Sequence, residues 1–164
     1  MAPVRAAPAL TACLLGCLLV QQTAIAGPAP RPIEILEVFS PSFGTWLAGP
    51  SGRQLVLFTD DTVGGADAAD YLFGARSGEF VISGSANQAI NILVDNTFAT
   101  GGIVVNQVIC QYHRDLPARC DGAGVDARSG NNRTLKIGID ITTSQAHTGG
   151  DAPTINMDVA IIYL

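Results

Sequence analysis

The chain has 164 residues and a formal net charge of −5, and 14% of its residues are charged, below the usual share of about 25%. An acidic, charge-poor chain is unsuited to binding nucleic acid or anionic membrane surfaces, because both attract clustered lysine and arginine. The length suits one domain with a hydrophobic core.

Residues 1–26 predict a cleaved signal peptide. Arg5 supplies the basic start, an apolar run extends over residues 10–20, and Ala24-Ile25-Ala26 forms a small-x-small site before Gly27. The run is shorter than the roughly 20 apolar residues that span a bilayer, so an uncleaved anchor is the weaker alternative. We expect cleavage between Ala26 and Gly27. Removing 26 of the 164 residues leaves 138, with a net charge of −6 because Arg5 is the only charged residue removed.

A lipoprotein is the other alternative for export. Leu10-Thr11-Ala12-Cys13 and Leu14-Leu15-Gly16-Cys17 each place a small residue before a cysteine. Cleavage before either cysteine would leave little of the apolar run on its N-terminal side. We therefore expect export without a lipid anchor, to the periplasm, the cell surface or the medium.

Cys110 and Cys120 are the only cysteines that remain after cleavage. An exported protein meets an oxidising compartment, so the pair is expected to form a disulfide, which stabilises by roughly 3 kcal/mol. A redox or metal role is disfavoured because the spacing is not Cys-x-x-Cys and no further ligand is nearby. The sequence does not decide whether the disulfide forms within one chain or between two chains.

Short apolar runs separated by Gly, Asn, Asp and Pro predict an all-β domain over residues 33–164, an immunoglobulin-like antiparallel β-sandwich of about 7–9 strands. The Pro-rich segment 27–32 is expected to be an extended lead-in, since proline cannot enter a central ladder. The predicted strands are Ile33–Phe39, Phe43–Leu47, Gln54–Thr59, Tyr71–Phe73, Glu79–Ser83, Ala89–Val94, Ile103–Tyr112, Thr134–Thr142 and Thr154–Tyr163.

Two strands have the clearest two-residue period and are expected to anchor the core. Their apolar faces are Leu135, Ile137, Ile139 and Ile141 in one strand, and Ile155, Met157, Val159, Ile161 and Tyr163 in the other. Residues 121–132 contain almost no apolar side chains, which predicts an exposed loop. Residues 67–73 also fit one helical turn.

Catalytic patterns are absent from the sequence. Neither serine-glycine stretch forms a Gly-x-Ser-x-Gly elbow, and no glycine-rich loop fits a nucleotide. His113 and His147 both lie in polar turn sequences and are expected at the surface, because a general base needs an orienting partner that the sequence does not supply. We therefore predict no enzyme activity, no catalytic residue and no cofactor.

Calcium is the only metal with candidate ligands, and they are weak: Asp60, Asp61, Asp121 and Asp126. Carboxylates in flexible Gly-rich loops suit Ca²⁺. Neither loop follows the Asp-x-Asp-x-Asp-Gly pattern, and the segment 122–126 resembles a single piece of a calcium-binding repeat that works only in tandem. Ordinary acidic loops are the favoured interpretation.

Three segments resemble an uncharacterised family of exported bacterial β-sandwich proteins, domain of unknown function 4402 (DUF4402). They are the Phe-Gly turn and Gly-rich step over residues 43–52, the Phe-x-Val-x-Gly strand pair over residues 79–94, and the strands over residues 135–163. The Gly-x-Tyr step that the family has before its last strand is replaced here by residues 149–153, and the cysteine hairpin is not a family feature. The resemblance implies a sandwich that is distantly fimbrial or pilin-like, and it implies no catalytic residue.

These expectations favour a non-enzymatic envelope or surface protein that acts as a structural, adhesive or pilus-like subunit. It would pair with itself or with another envelope subunit by β-strand addition. The alternative is a periplasmic module that binds a small ligand or glycan through residues 111–119 and 121–132. A small membrane β-barrel ranks third, because only 6% of residues are aromatic and most predicted strands are shorter than the roughly 9–11 residues of a span.

Overall fold

The computed structural model describes residues 29–164, so the predicted signal peptide and its cleavage site lie outside the described residues. Within that range, no helix is long and apolar enough to cross a membrane. Residues 29–32 of the predicted lead-in have no regular structure, and neither has Ile33, the first residue of the predicted strand Ile33–Phe39. The strands are β1 (Glu34–Phe39), β2 (Thr45–Trp46), β3 (Gln54–Leu57), β4 (Val63–Gly64), β5 (Tyr71–Phe73), β6 (Gly78–Ser83), β7 (Ala89–Ala99), β8 (Ile103–Tyr112), β9 (Ala118–Arg119), β10 (Val125–Arg128), β11 (Arg133–Thr143), β12 (Gly150–Asp151) and β13 (Ile155–Tyr163).

The all-β antiparallel sandwich predicted from the sequence is confirmed. A large sheet contains β1, β6, β11, β3, β4, β8 and β9, and a facing sheet has the order β10-β7-β13. Buried side chains from both sheets form one hydrophobic cluster. A third, small sheet of β12, β2 and β5 was not predicted, because strands of two or three residues are too short to show a period.

Strand β11 is the centre of the large sheet. It pairs with β8 along one side and with β6 and then β3 along the other. Its predicted apolar face is completely buried. Gly138 lies where the neighbour changes from β6 to β3, and a Cβ there would stand 2.4 Å from the Leu57 carbonyl oxygen. The glycine therefore allows the close approach of β3.

The predicted anchoring role of β13 is only partly correct. Ile155 is buried, whereas Met157, Val159, Ile161 and Tyr163 are half-buried. The reason is that β13 is an edge strand, and no described strand lies on its outer side. Its inner face therefore borders an open groove.

The predicted exposed loop over residues 121–132 is wrong in its middle. Residues 125–128 form β10, which pairs with β7, and Ser129 is buried. Pairing uses backbone groups and needs few apolar side chains, so the composition of the segment concealed the strand. The two alternatives for residues 67–73 both occur, since a single 3-10 turn over Ala68–Asp70 leads directly into β5.

Candidate interaction surface

Strand β1 is an exposed edge strand with mainly apolar side chains. All six of its residues are exposed, including Leu36 at 65% and Phe39 at 41%. The guanidinium of Arg76 lies 4.1 Å from the centre of the Phe39 ring and partly covers it. An exposed apolar edge is a template for pairing with another strand.

The outward-pointing backbone groups of β1 follow from the register of the large sheet. The Thr134 carbonyl accepts a 2.7 Å hydrogen bond from the His113 amide, so the backbone N–H and C=O groups of Thr134 point towards β8. The backbone groups of successive residues point to opposite sides of a strand, and those of two opposed residues point either towards each other or away from each other. Applied across β6, this alternation directs the Leu36 backbone groups towards β6 and those of Ile35 and Glu37 towards the other edge. No strand within residues 29–164 pairs with that edge, which we call the free edge of β1.

The same reasoning applies to β13. The Leu164 amide donates a 3.0 Å hydrogen bond to the Ala89 carbonyl, so the backbones of Ile162 and Ala160 also point towards β7. The amides of Val159, Ile161 and Tyr163 therefore point away from β7. Within residues 29–164, no strand pairs with this outer side.

A groove of about 580 Å³ separates these two edges. Its apolar walls include Ile35 and Phe80 from the large sheet and Met157 and Val159 from β13. A strand added to either free edge would insert every second side chain between these walls.

Glu37 is the ionisable side chain on the β1 wall of the groove. It lies opposite Phe80 in the β1–β6 register and accepts a hydrogen bond from the Ser40 hydroxyl. An inward-pointing charge on an edge strand suppresses indiscriminate pairing, because only a partner that brings a cation or donor to that point satisfies it.

The Tyr163 hydroxyl anchors the end of β13. It accepts a 2.8 Å hydrogen bond from the Ser85 amide and donates one of 2.8 Å to the Arg31 carbonyl. This joins the end of β13 to the lead-in and to the β6–β7 turn. The edges are thus held in fixed positions.

The weak calcium candidates lie in two separate regions, and each is hydrogen-bonded to the protein. Asp60 accepts from the Thr62 hydroxyl and amide, and these bonds lower its pKa. Asp61 accepts from the hydroxyl and amide of Ser77, both at 2.7 Å, which lowers its pKa in the same way.

The other two candidates have different partners. Asp121 forms a bidentate pair with Arg119 at 2.7 and 2.8 Å. The Asp126 carboxylate accepts a 2.8 Å hydrogen bond from the side-chain amide of Asn91. Among residues 29–164, no three His, Cys, Asp or Glu side chains converge as a metal site would require.

The expectation that both histidines lie at the surface is correct for His113 and wrong for His147. His113 is exposed in the turn after β8, with φ of 55°. The ring of His147 is partly buried and stacks on Trp46, with ring centroids 4.5 Å apart. Trp46 and His147 are 101 positions apart in sequence, so no local pattern indicates the stack.

An ion-pair network lies beside this stack. Arg53 reaches Asp67 at 2.6 Å and Asp70 at 3.1 Å. The pKa of Asp67 is lowered, chiefly by the Gln54 backbone amide and then by Arg53. The network connects the 3-10 turn to the start of β3 and so stabilises the fold.

The predicted disulfide joins Cys110 and Cys120 within one chain. The Cys120 amide donates to the Val108 carbonyl at 3.1 Å, and its carbonyl accepts from the Val94 amide at 3.0 Å. Cys120 thereby connects the two main sheets. The bond is compatible with an exported protein.

Comparison of the chain with protein-family models, curated proteins and solved structures finds no match. The resemblance to DUF4402 therefore stays a prediction. The groove and its two free edges were not predicted as a site. The available signal was the run of β1, Glu-Ile-Leu-Glu-Val-Phe, which is apolar at adjacent positions although an edge strand with one solvated face normally alternates.

Proposed function

We propose that this chain is an exported, non-enzymatic envelope or surface subunit of structural, adhesive or pilus-like type that assembles by β-strand addition. The observation that supports this most directly is the pair of free edges, β1 and β13, on either side of one groove. Each edge offers unpaired backbone groups, and the groove offers apolar walls. These are the two components of strand-addition binding, in which backbone bonds give affinity and alternate side chains give specificity.

The proposed partner is β1 of a second copy, lying along the free edge of β13. This strand is apolar and already exposed, so little has to unfold before it can pair. Arg31 precedes it by three residues and brings a cation to a groove that contains Glu37. Each aliphatic side chain that becomes buried contributes roughly 1.5–3 kcal/mol before the entropic cost of association.

Light scattering coupled to size exclusion on residues 27–164 tests this assembly. The wild type is expected to grow in mass with concentration. Ile161→Pro removes an amide that points to the free edge and spares the ladder to β7, and Ile161→Ala removes the half-buried side chain alone. The proline variant is therefore expected to assemble at least tenfold more weakly than the alanine variant, while both keep the wild-type circular dichroism spectrum.

Asp126→Pro is the matched control, because the β7–β10 register places its amide on the opposite edge of the same sheet. It is expected to assemble like the wild type. A wild type that stays monomeric into the high micromolar range contradicts the proposal, as does assembly that is insensitive to Ile161→Pro. A stable complex only with a different envelope protein would show that the partner is not a second copy. Deleting residues 27–39 is a blunter test, because it also removes Ile33, which packs against the core.

A further inference from the structure

The outer face of the large sheet carries a shallow depression that the assembly surface does not use. It lies between the β3–β4 turn and the β8–β9 hairpin and has a volume of about 690 Å³. A second depression of about 480 Å³ shares Thr59, Asp60 and Gln111 with it, so the two form one elongated concavity. The concavity therefore extends from Pro117 in the β8–β9 hairpin to Lys136 in β11.

An exposed aromatic ring forms one wall. Phe58 is 43% exposed although it is large and apolar. Its backbone is fixed in a tight turn, with its amide donating to the Thr62 carbonyl at 2.9 Å. A Cβ on Gly64 would stand 2.7 Å from the ring, so the missing side chain of Gly64 provides the space in which the ring lies.

Side-chain amides line the opposite wall. Gln107 and Gln111 project from the outward face of β8, with Ile109 between them. The Thr59 hydroxyl donates to Gln111 Oε1 at 3.0 Å, which orients that amide and leaves its nitrogen free to donate. The Gln107 side chain makes no hydrogen bond to any described residue. Amides offer a donor and an acceptor side by side, which matches adjacent hydroxyl groups.

Most of the charged side chains at the concavity lie beside an opposite charge. Arg119 is already paired with Asp121, and one carboxylate oxygen of Asp60 accepts from Thr62. In the second depression, Glu79 and Lys136 are opposed in the β6–β11 register. The Asp60 carboxylate is left as one unbalanced negative charge, so the site favours a neutral ligand over an anion.

We propose that this concavity binds a neutral oligosaccharide. A sugar ring packs an apolar C–H face against Phe58, and its hydroxyl groups exchange hydrogen bonds with Gln107, with Gln111 and with Asp60. The site lies on a different surface from the groove, so it does not depend on strand addition and would give an assembled subunit an adhesive function.

Titration of ¹⁵N-labelled protein with neutral tetrasaccharides, namely cellotetraose, chitotetraose, maltotetraose and mannotetraose, tests the site. At least one is expected to shift the side-chain amide resonances of Gln107 and Gln111. Phe58→Ala is expected to weaken that binding at least tenfold. Gly64→Ala is expected to weaken it as well, because it displaces the ring and removes no polar group.

Phe98→Ala is the matched control, since Phe98 is another exposed phenylalanine, 63% accessible, in β7. It is expected to leave binding unchanged. The proposal is overturned if none of the four sugars shifts the two amides, if Phe98→Ala weakens binding as much as Phe58→Ala, or if the anionic probe trigalacturonate binds more tightly than every neutral sugar.

Discussion

Replacing both Cys110 and Cys120 by alanine is expected to destabilise the fold by about 3 kcal/mol. The disulfide closes a loop with a sequence separation of 10, for which the chain-entropy relation gives about 2.7 kcal/mol at 25 °C. Both side chains are at most 1% exposed, so alanine keeps the site apolar, and the lost sulfur contacts add to the cost.

The position of the bond predicts which region responds. Cys120 is hydrogen-bonded to Val108 in the large sheet and to Val94 in the facing sheet. Without the bond, the segment between Tyr112 and Val125 is expected to detach first. The amide protons of Val94 and Cys120 should then exchange faster than those of β11.

Urea unfolding with linear extrapolation measures the loss. The wild type in reducing agent is the matched control and should lose a similar amount. A loss below about 1 kcal/mol in both would contradict the reasoning, because it would mean that the sheets hold the hairpin closed without the bond.

Other substitutions test the large sheet, the acidic turn and the anchored end of β13. Gly138→Ala is expected to cost about 1–3 kcal/mol in urea unfolding, because the new Cβ meets the Leu57 carbonyl. Asp61→Asn is expected to make the free energy of unfolding depend less on pH in the acidic range. The hydrogen bonds from Ser77 lower the pKa of Asp61 in the folded protein. The ionised carboxylate therefore stabilises the fold at pH values above its unfolded pKa of 3.8, and this stabilisation is lost as the pH falls through the folded-state pKa. Melting temperatures measured at several acidic pH values test this, and the same pH dependence in the wild type and the variant would contradict it. Tyr163→Phe is expected to cost about 1–2 kcal/mol by removing a bridging hydroxyl, and an unchanged unfolding midpoint would show that the bridge contributes nothing.

The fold could be predicted where one strand carries its own signal. In β11, Leu135, Ile137, Ile139 and Ile141 alternate with polar or small residues, and the central position of that strand confirms the pattern. The segment of β10 has no such signal, because its place is decided by the free backbone of β7. The disulfide could be predicted because only one pairing within the chain was available.

The groove could not be predicted and the concavity only in part, since each depends on distant segments meeting. The segment 111–119, expected to bind a ligand or glycan in the alternative hypothesis, does line the concavity. The groove needs β1 and β13, which are more than a hundred residues apart. The concavity combines Phe58 with Gln107 and Gln111 from a strand on the far side of β11. The sequence also left the exposure of β1 undetermined, because an apolar run is equally typical of a buried strand.

Residue-resolved hydrogen exchange along β13, at low and at high protein concentration, tests the central claim of strand addition most directly. In dilute protein, the amides of Val159 and Ile161 should exchange quickly while those of Ala160 and Ile162 are protected by β7. On assembly, the first pair should become protected as well. If the alternating pattern persists unchanged in the assembled protein, the free edge of β13 is not where subunits meet.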